Sequence, residues 1–185
     1  MDIKTEIEMH QKTVELFKEQ CVPTLRKIAE TCRDALKSGH KIMLCGNGGS
    51  AADSQHIAAE FVGRFHKERI SLPAIALTTD TSILTAVGND YGYDVVFKRQ
   101  VEGLGREGDV LIGISTSGNS RNVIEAFMEA KAKGIRTIAF TGEKESRSSE
   151  VADITLRVPS TVTARIQECH ILSGHIICSF IDEEY

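Results

Sequence analysis

The apolar residues of this chain repeat with two different periods. Dense short runs, several of them β-branched, occupy residues 42–45, 72–79, 109–116, 135–142 and 152–159, and each is bounded by glycine, proline or small polar residues. Runs of that length that are apolar on both faces predict strands buried in a parallel sheet. Between them the spacing opens to three and four residues, the period of a helix with one buried face. Ile3, Ile7, Val14 and Phe17 mark a first helix; Val22, Leu25, Ile28, Cys32 and Leu36 mark a second, with Pro23 suited to its first turn and Gly39 after its end. Residues 1–39 are thus predicted to form a helical pair.

Further helices are predicted from Ser50 or Ala51 to about Phe65, over TSILTAVGN (81–89), around Phe97 to Leu104, and after SGNS with Val123, Ile124, Phe127 and Met128 facing inward. A last helix runs from about Ala164 to Ile181. The polar, serine-rich stretch 143–152 receives no element. Strands alternating with helices predict an α/β fold with helices covering both faces of the sheet, and ligands at the carboxyl ends of its strands near a topological switch. A length of 185 residues suits one domain core.

Two strand-to-helix turns stand out within this pattern. The first lies in KIMLCGNGGSAADSQHIAAE (41–60), where a strand empties through Asn47, Gly48 and Gly49 into a helix. The backbone N–H groups of such a helix start lack partners and lie at the positive end of the helix dipole, a setting that favours an oxyanion or phosphate. The turn fits neither GxGxxG nor the lysine-bearing phosphate loop, which withdraws support from dinucleotide or nucleoside triphosphate binding. The second turn, Ser115-Thr116-Ser117-Gly118-Asn119-Ser120, adds several hydroxyl donors to a helix start. One serine is explained as an N-cap; the rest suit phosphate. On the first helix, His56 and Glu60 are four residues apart and share a face.

The formal charge of −4 argues against bulk attraction to nucleic acid or anionic lipid. The polar N-terminal residues do not read as a signal peptide, and no apolar stretch reaches spanning length, so a cytoplasmic location is expected. The five cysteines show no CxxC spacing and read as small buried apolar residues. His10, His40 and His66 lie in polar surroundings and are expected at the surface. From Cys169 to Ile181 the last helix has no Asp, Glu, Lys or Arg, which predicts packing against a second subunit.

GNGGSAADSQHIAAEF, the AVGND segment, ISTSGNS and RIQECH followed by His175 together resemble the sugar isomerase (SIS) domain family over essentially the whole chain. The combination of HxxxE, IQE and His175 is similar to the branch of that family that isomerises sedoheptulose 7-phosphate. The resemblance implies a single SIS domain: a five-stranded parallel sheet flanked by helices in a flavodoxin-like three-layer sandwich over residues 40–185, with the N-terminal helical pair used in oligomer packing. Ser115, Thr116, Ser117 and Ser120 would bind the substrate phosphate, Asn47, Gly48 and Gly49 would line the sugar site, and Asn89 and Asp90 would contact hydroxyls. His56, Glu60, Gln167 and His175 match the family's zinc ligands, Glu60 and Gln167 also meet substrate, and Glu60 and His175 match its acid/base pair. Ala164 stands where some members carry an acidic residue.

Gln167 and His175 are eight residues apart, which places them about 12 Å apart along a helix. That separation requires either a distorted helix or ligands drawn from different subunits; the second is favoured and predicts shared sites in a homo-oligomer, a tetramer as in the family. Other readings within the resemblance are a non-catalytic regulator of replication initiation and an isomerase of a shorter ketose phosphate. The presence of the full set His56, Glu60, Gln167 and His175 argues against the regulator.

Overall fold

A computed structural model describes residues 2–185. Its centre is a parallel sheet of β1 (Ile42–Gly46), β2 (Ala74–Ala76), β3 (Val110–Ile114), β4 (Arg136–Thr141) and β5 (Ile154–Arg157), ordered β2-β1-β3-β4-β5. The pleat sends alternate residues of each strand to opposite faces. Ile42 and Leu44 of β1 join Val110, Ile112, Ile138 and Phe140 on one side, whereas Met43 and Cys45 join Leu111 and Ala139 on the other. Helices α1 (Ile3–Lys37), α2 (Gly49–Val62) and α7 (Thr163–Asp182) cover the first face. The second is covered by α4 (Val96–Leu104) and α5 (Arg121–Ala132), with α3 (Thr81–Tyr91) beside α4 and a short 3-10 turn at Tyr93–Val95. The three-layer sandwich matches the expectation.

The N-terminal helical pair does not. Residues 3–37 form one continuous helix, with Pro23 inside it rather than at a helix start. Proline has no N–H for the carbonyl one turn back, but its side chain lies on the exposed face while Cys21, Leu25 and Ile28 anchor the other face in the core. Tertiary packing therefore carries the helix through a local break signal. The helix ends as its sequence suggests: His40 N–H bonds Ala35 O and Gly39 N–H bonds Leu36 O, at 3.0 Å each, the paired bonds of a Schellman cap.

Four smaller differences follow. β2 is shorter than 72–79 because it is an edge strand with one neighbour. Met128 is 50 % exposed. Within the serine-rich stretch, Arg147–Val151 forms α6, opened by a capping box between Ser146 and Ser149. Helix α7, which carries no Asp, Glu, Lys or Arg from Cys169 to Ile181, buries Ile166, Cys169, Ile177, Cys178 and Ile181 in the chain's own core, so much of its apolar surface is already covered within one chain.

All five cysteines are buried and free, and burial pushes the Cys45 thiol up to about 12. His10 and His66 are exposed as expected, and His40 is half-buried. His170 is fully buried. Its Nε2–H donates to Thr141 O at 3.2 Å, while Nδ1 is buried without a partner. Desolvation lowers its pKa from 6.5 to about 4, against the pull of that hydrogen bond.

Replacing Pro23 by Ala restores a helix donor and is expected to stabilise the protein by about 1–3 kcal/mol, raising Tm by roughly 2–4 °C per kcal/mol; an unchanged or lower Tm would mean that the ring itself contributes packing. His170 gives a pH signature. Between pH 6.5 and about 4 the unfolded chain binds a proton that the folded chain refuses, so stability falls as pH falls, by up to about 3 kcal/mol. Asp109, Asp153 and Asp182 have folded pKa values below the ordinary 3.8, so their contribution is present above that value and is lost at lower pH. Urea unfolding from pH 7 to 4.5 checks this: the His170→Gln variant should lose the slope that the parent shows in that window.

Candidate active site

The strand order puts β1 and β3 side by side, paired from Ile42↔Val110 to Gly46↔Ile114. Their carboxyl ends release the Asn47 loop and the Ser115 loop next to each other, at the switch point of the sheet. The loops are tied by a reciprocal amide pair: Asn47 Nδ2 donates to Asn122 Oδ1 at 2.9 Å and Asn122 Nδ2 donates to Asn47 Oδ1 at 2.8 Å. The Asn47 side chain therefore braces the loop, while the exposed Gly48 and Gly49 present backbone. Side chains cap the starts of α1, α3 and α6, from Asp2, Asp80 and Ser146. The helices that follow these two loops, α2 and α5, have no side-chain cap. The same holds for α4 and α7; what sets α2 and α5 apart is that their starts follow adjacent strand ends, a setting that favours an anion.

Ser120 illustrates the difference. It occupies the N-cap position of α5, yet its hydroxyl meets Ser115 Oγ at 2.9 Å, and Ser115 Oγ lies 3.5 Å from Ser117 Oγ. Ser115 is buried, Thr116 and Ser120 are half-buried and Ser117 is exposed, giving a hydroxyl-lined rim above an open helix start. The loop is held from behind by α6. Ser148 N–H donates to Gly118 O at 2.9 Å, and Arg147 N–H donates to Asn119 Oδ1 at 3.1 Å. Gly118 has φ +65° and lies against Ser146 so closely that a Cβ would collide with its side chain.

Further along α2, His56 Nε2 lies 3.4 Å from Glu60 Oε1 and 2.9 Å from His175 Nε2 of α7. The donor atoms of the three side chains all lie within 4.8 Å of one another. Ligand atoms around a tetrahedral zinc with bonds of about 2.0–2.1 Å stand roughly 3.3 Å apart, so this spacing and this set of two imidazoles and a carboxylate fit such an ion. His175 is fixed by a stacked contact with Phe65, ring centroids 5.5 Å apart. The side chains of His56 and Glu60 are 50 % and 23 % exposed, leaving the cluster open to a ligand.

His175 meets His56 and Glu60 within one chain, whereas Gln167 of the same chain does not join them. α2 and α7 lie alongside each other, so Ile57 touches Gly174 at one level while Gln167 lies at another. A Cβ on Gly49 would stand 3.0 Å from Gln167 Nε2, which puts the carboxamide over the glycine loop, about two turns up α2 from His56. Asn89 and Asp90 bond each other at 2.8 Å on the exposed end of α3. That end is followed by the 3-10 turn, whose Asp94 pairs with Arg121 in the first turn of α5 at 3.3 Å.

Two nearby residues escaped the sequence reading. Asn122 carries no signal in its immediate sequence, since its partner is 75 positions away. Asp53 did carry one, because it precedes His56 by three residues and so shares its helix face. Burial raises the Asp53 carboxyl above its ordinary value, while His56 and His175 pull it down.

Comparison with known proteins gives a consistent result. The SIS domain family model matches residues 7–142. The phosphoheptose isomerase of a Nitratiruptor species is 58 % identical over 183 residues, covering 99 % of this chain and 98 % of that protein. The solved phosphoheptose isomerase of Neisseria gonorrhoeae superposes with a TM-score of 0.93 at 46 % identity, covering 98 % of this chain and 97 % of the other. That of Francisella tularensis gives 0.95 at 38 % identity, covering 98 % and 96 %. The chain belongs to the SIS domain family and, within it, to the phosphoheptose isomerases.

Proposed function

We propose that this chain is an aldose–ketose isomerase that converts sedoheptulose 7-phosphate to D-glycero-D-manno-heptose 7-phosphate. The observation that carries the reading is the convergence of His56, Glu60 and His175 on α2 and α7, beyond a helix start left open beside a second, hydroxyl-lined one. Family membership supplies the substrate class, since the relatives are named for a phosphorylated heptose.

The reaction moves a proton from C1 of the ketose to C2 through a cis-enediol while the hydroxyl proton passes between the two oxygens. Glu60 is the base that removes the carbon-bound proton and returns it at the neighbouring carbon. His175 shuttles the oxygen-bound proton, an imidazole being suited to both directions near neutral pH. The Ser115, Thr116, Ser117 and Ser120 hydroxyls and the start of α5 hold the phosphate and fix the sugar chain, which converts binding energy into alignment of C1 and C2 with Glu60. Gly48, Gly49 and Gln167 line the sugar beside Asn47, and Asn89 and Asp90 contact its hydroxyls. His56, Glu60 and His175 would hold a zinc ion, and Gln167, which lies over the glycine loop of its own chain, would complete the set only from a neighbouring subunit. When bound, zinc stabilises negative charge on the oxygens of the reacting carbons.

The whole of residues 1–185 acts as one SIS domain in a homotetramer, with each site completed at a subunit boundary. The exposed apolar face of α1, including Ile3 at 80 % and Ile7 at 54 %, supports packing between subunits. No helix among the described residues is long and apolar enough to cross a membrane, in keeping with a cytoplasmic enzyme that feeds heptose into lipopolysaccharide precursors.

Turnover of sedoheptulose 7-phosphate, followed by separation of ketose from aldose, tests the reading. Glu60→Gln and His175→Gln should each remain folded and lose on the order of 10²–10⁴ in kcat. Chelation should remove activity and zinc should restore it. A folded, zinc-loaded, oligomeric parent protein that forms no aldose would sink the heptose assignment. Gly118→Ala should displace the phosphate loop and raise KM roughly tenfold, with a smaller change in kcat; an unchanged KM would remove the phosphate role from that loop.

A further inference from the structure

A buried ion pair joins the far ends of the two helices that carry the catalytic side chains. Asp182, in the last turn of α7, is 2 % exposed, and the Arg69 side chain is fully buried beside it. Arg69 Nε–H donates to Asp182 Oδ1 at 2.6 Å. The other carboxylate oxygen, Oδ2, accepts the backbone N–H of His66 at 2.6 Å and of Lys67 at 3.0 Å. Beyond the carboxylate, the guanidinium reaches the end of α2. Nη2 donates to Glu60 O at 2.9 Å, and Nη1 donates to Phe61 O and Ile70 O, each at 2.9 Å.

The carbonyls of Glu60 and Phe61 belong to the last turn of α2, where no helical N–H remains for them. Arg69 therefore caps the turn that holds Glu60, and does so from a side chain tied to α7. Asp182 lies seven residues, two turns, beyond His175 on the same helix. Through His66 and Lys67 it also fixes the loop that sets Phe65 against the His175 ring. Glu60 and His175 thus both depend on the same two buried side chains. The phosphate loop, carried by β3 and α5, has no bond to either of them.

We propose that Arg69 and Asp182 are positioning residues for the acid/base pair: together they fix α2 and the Phe65 loop on α7 and so set the separation of Glu60 from His175. The inference rests on the isomerase and metal reading above and adds two residues to it. Lysine in place of Arg69 keeps the charge but has no planar fork to serve Asp182 and the α2 carbonyls at once, so the charge alone does not suffice.

Arg69→Lys and Asp182→Asn are compared with the parent by circular dichroism, by competition with a chelator for zinc, and by kcat and KM for sedoheptulose 7-phosphate. Folded variants should bind zinc 10–100-fold more weakly, as supporting groups around metal ligands do, and lose kcat by a similar factor, while KM stays within about twofold. If Asp182→Asn does not fold, Arg69→Lys decides. Variants that melt at lower temperature yet keep parental zinc affinity and kcat would reduce the pair to a structural role and overturn the proposal. A parent that takes up no zinc, with both variants still losing kcat at constant KM, would remove the metal and leave the positioning role in place.

Discussion

The site depends on β1 and β3 being neighbours in a sheet whose connections leave in opposite directions from that point. β1 feeds α2 on one face and β3 feeds α5 on the other, so the two loops separate from adjacent strand ends and open a crevice between them. A strand inserted between the two would place the loops about 10 Å apart rather than about 5 Å, and one sugar phosphate would not span both in the same way. Neither helix start is capped by its own side chains. The fold thus supplies donors and field before any specialised residue is considered.

Specialised chemistry is added by a second packing relation, that of α7 along α2. The absence of a side chain at Gly174 lets Ile57 close in on α7, which brings His175 to the level of His56 and Glu60 and Gln167 to the level of Gly49. One helix pair therefore presents two functional levels: a cluster of imidazoles and carboxylate, and an amide over the glycine loop. The N-terminal end of α2 is left open while its C-terminal end is closed by Arg69. The open start and the side-chain-capped turn of Glu60 are thus at opposite ends of the same helix.

Much of this was legible in the chain. Five strands and both small-residue loops follow from local patterns, most plainly β1, β3 and β4, because a strand buried on both faces needs only its own apolar run to be visible. The His56–Glu60 pair was visible through helical spacing. What failed was where tertiary packing overrode a local signal: Pro23 suggested a break that the core contacts of Cys21 and Leu25 bridge. The apolar stretch of α7 packs on α1 and α2 within the chain, and its place between subunits belongs to the proposal. The pairs Asn47–Asn122 and Arg69–Asp182 were illegible because their members are separated by 75 and 113 positions. The meeting of His175 with His56 across 119 positions followed from family resemblance, while its occurrence within one chain did not follow from helix geometry.

The Asn47–Asn122 bridge has a consequence for how the enzyme responds to its surroundings. Both partners are carboxamides, which neither titrate nor attract counterions. The spacing of the two loops is therefore fixed by groups that ignore acidity and ionic strength, whereas the ligand proposed for the crevice is charged. On the proposed reading of the site, acidity acts on the phosphorylated ligand itself, while the amide pair that spaces the two loops is unchanged.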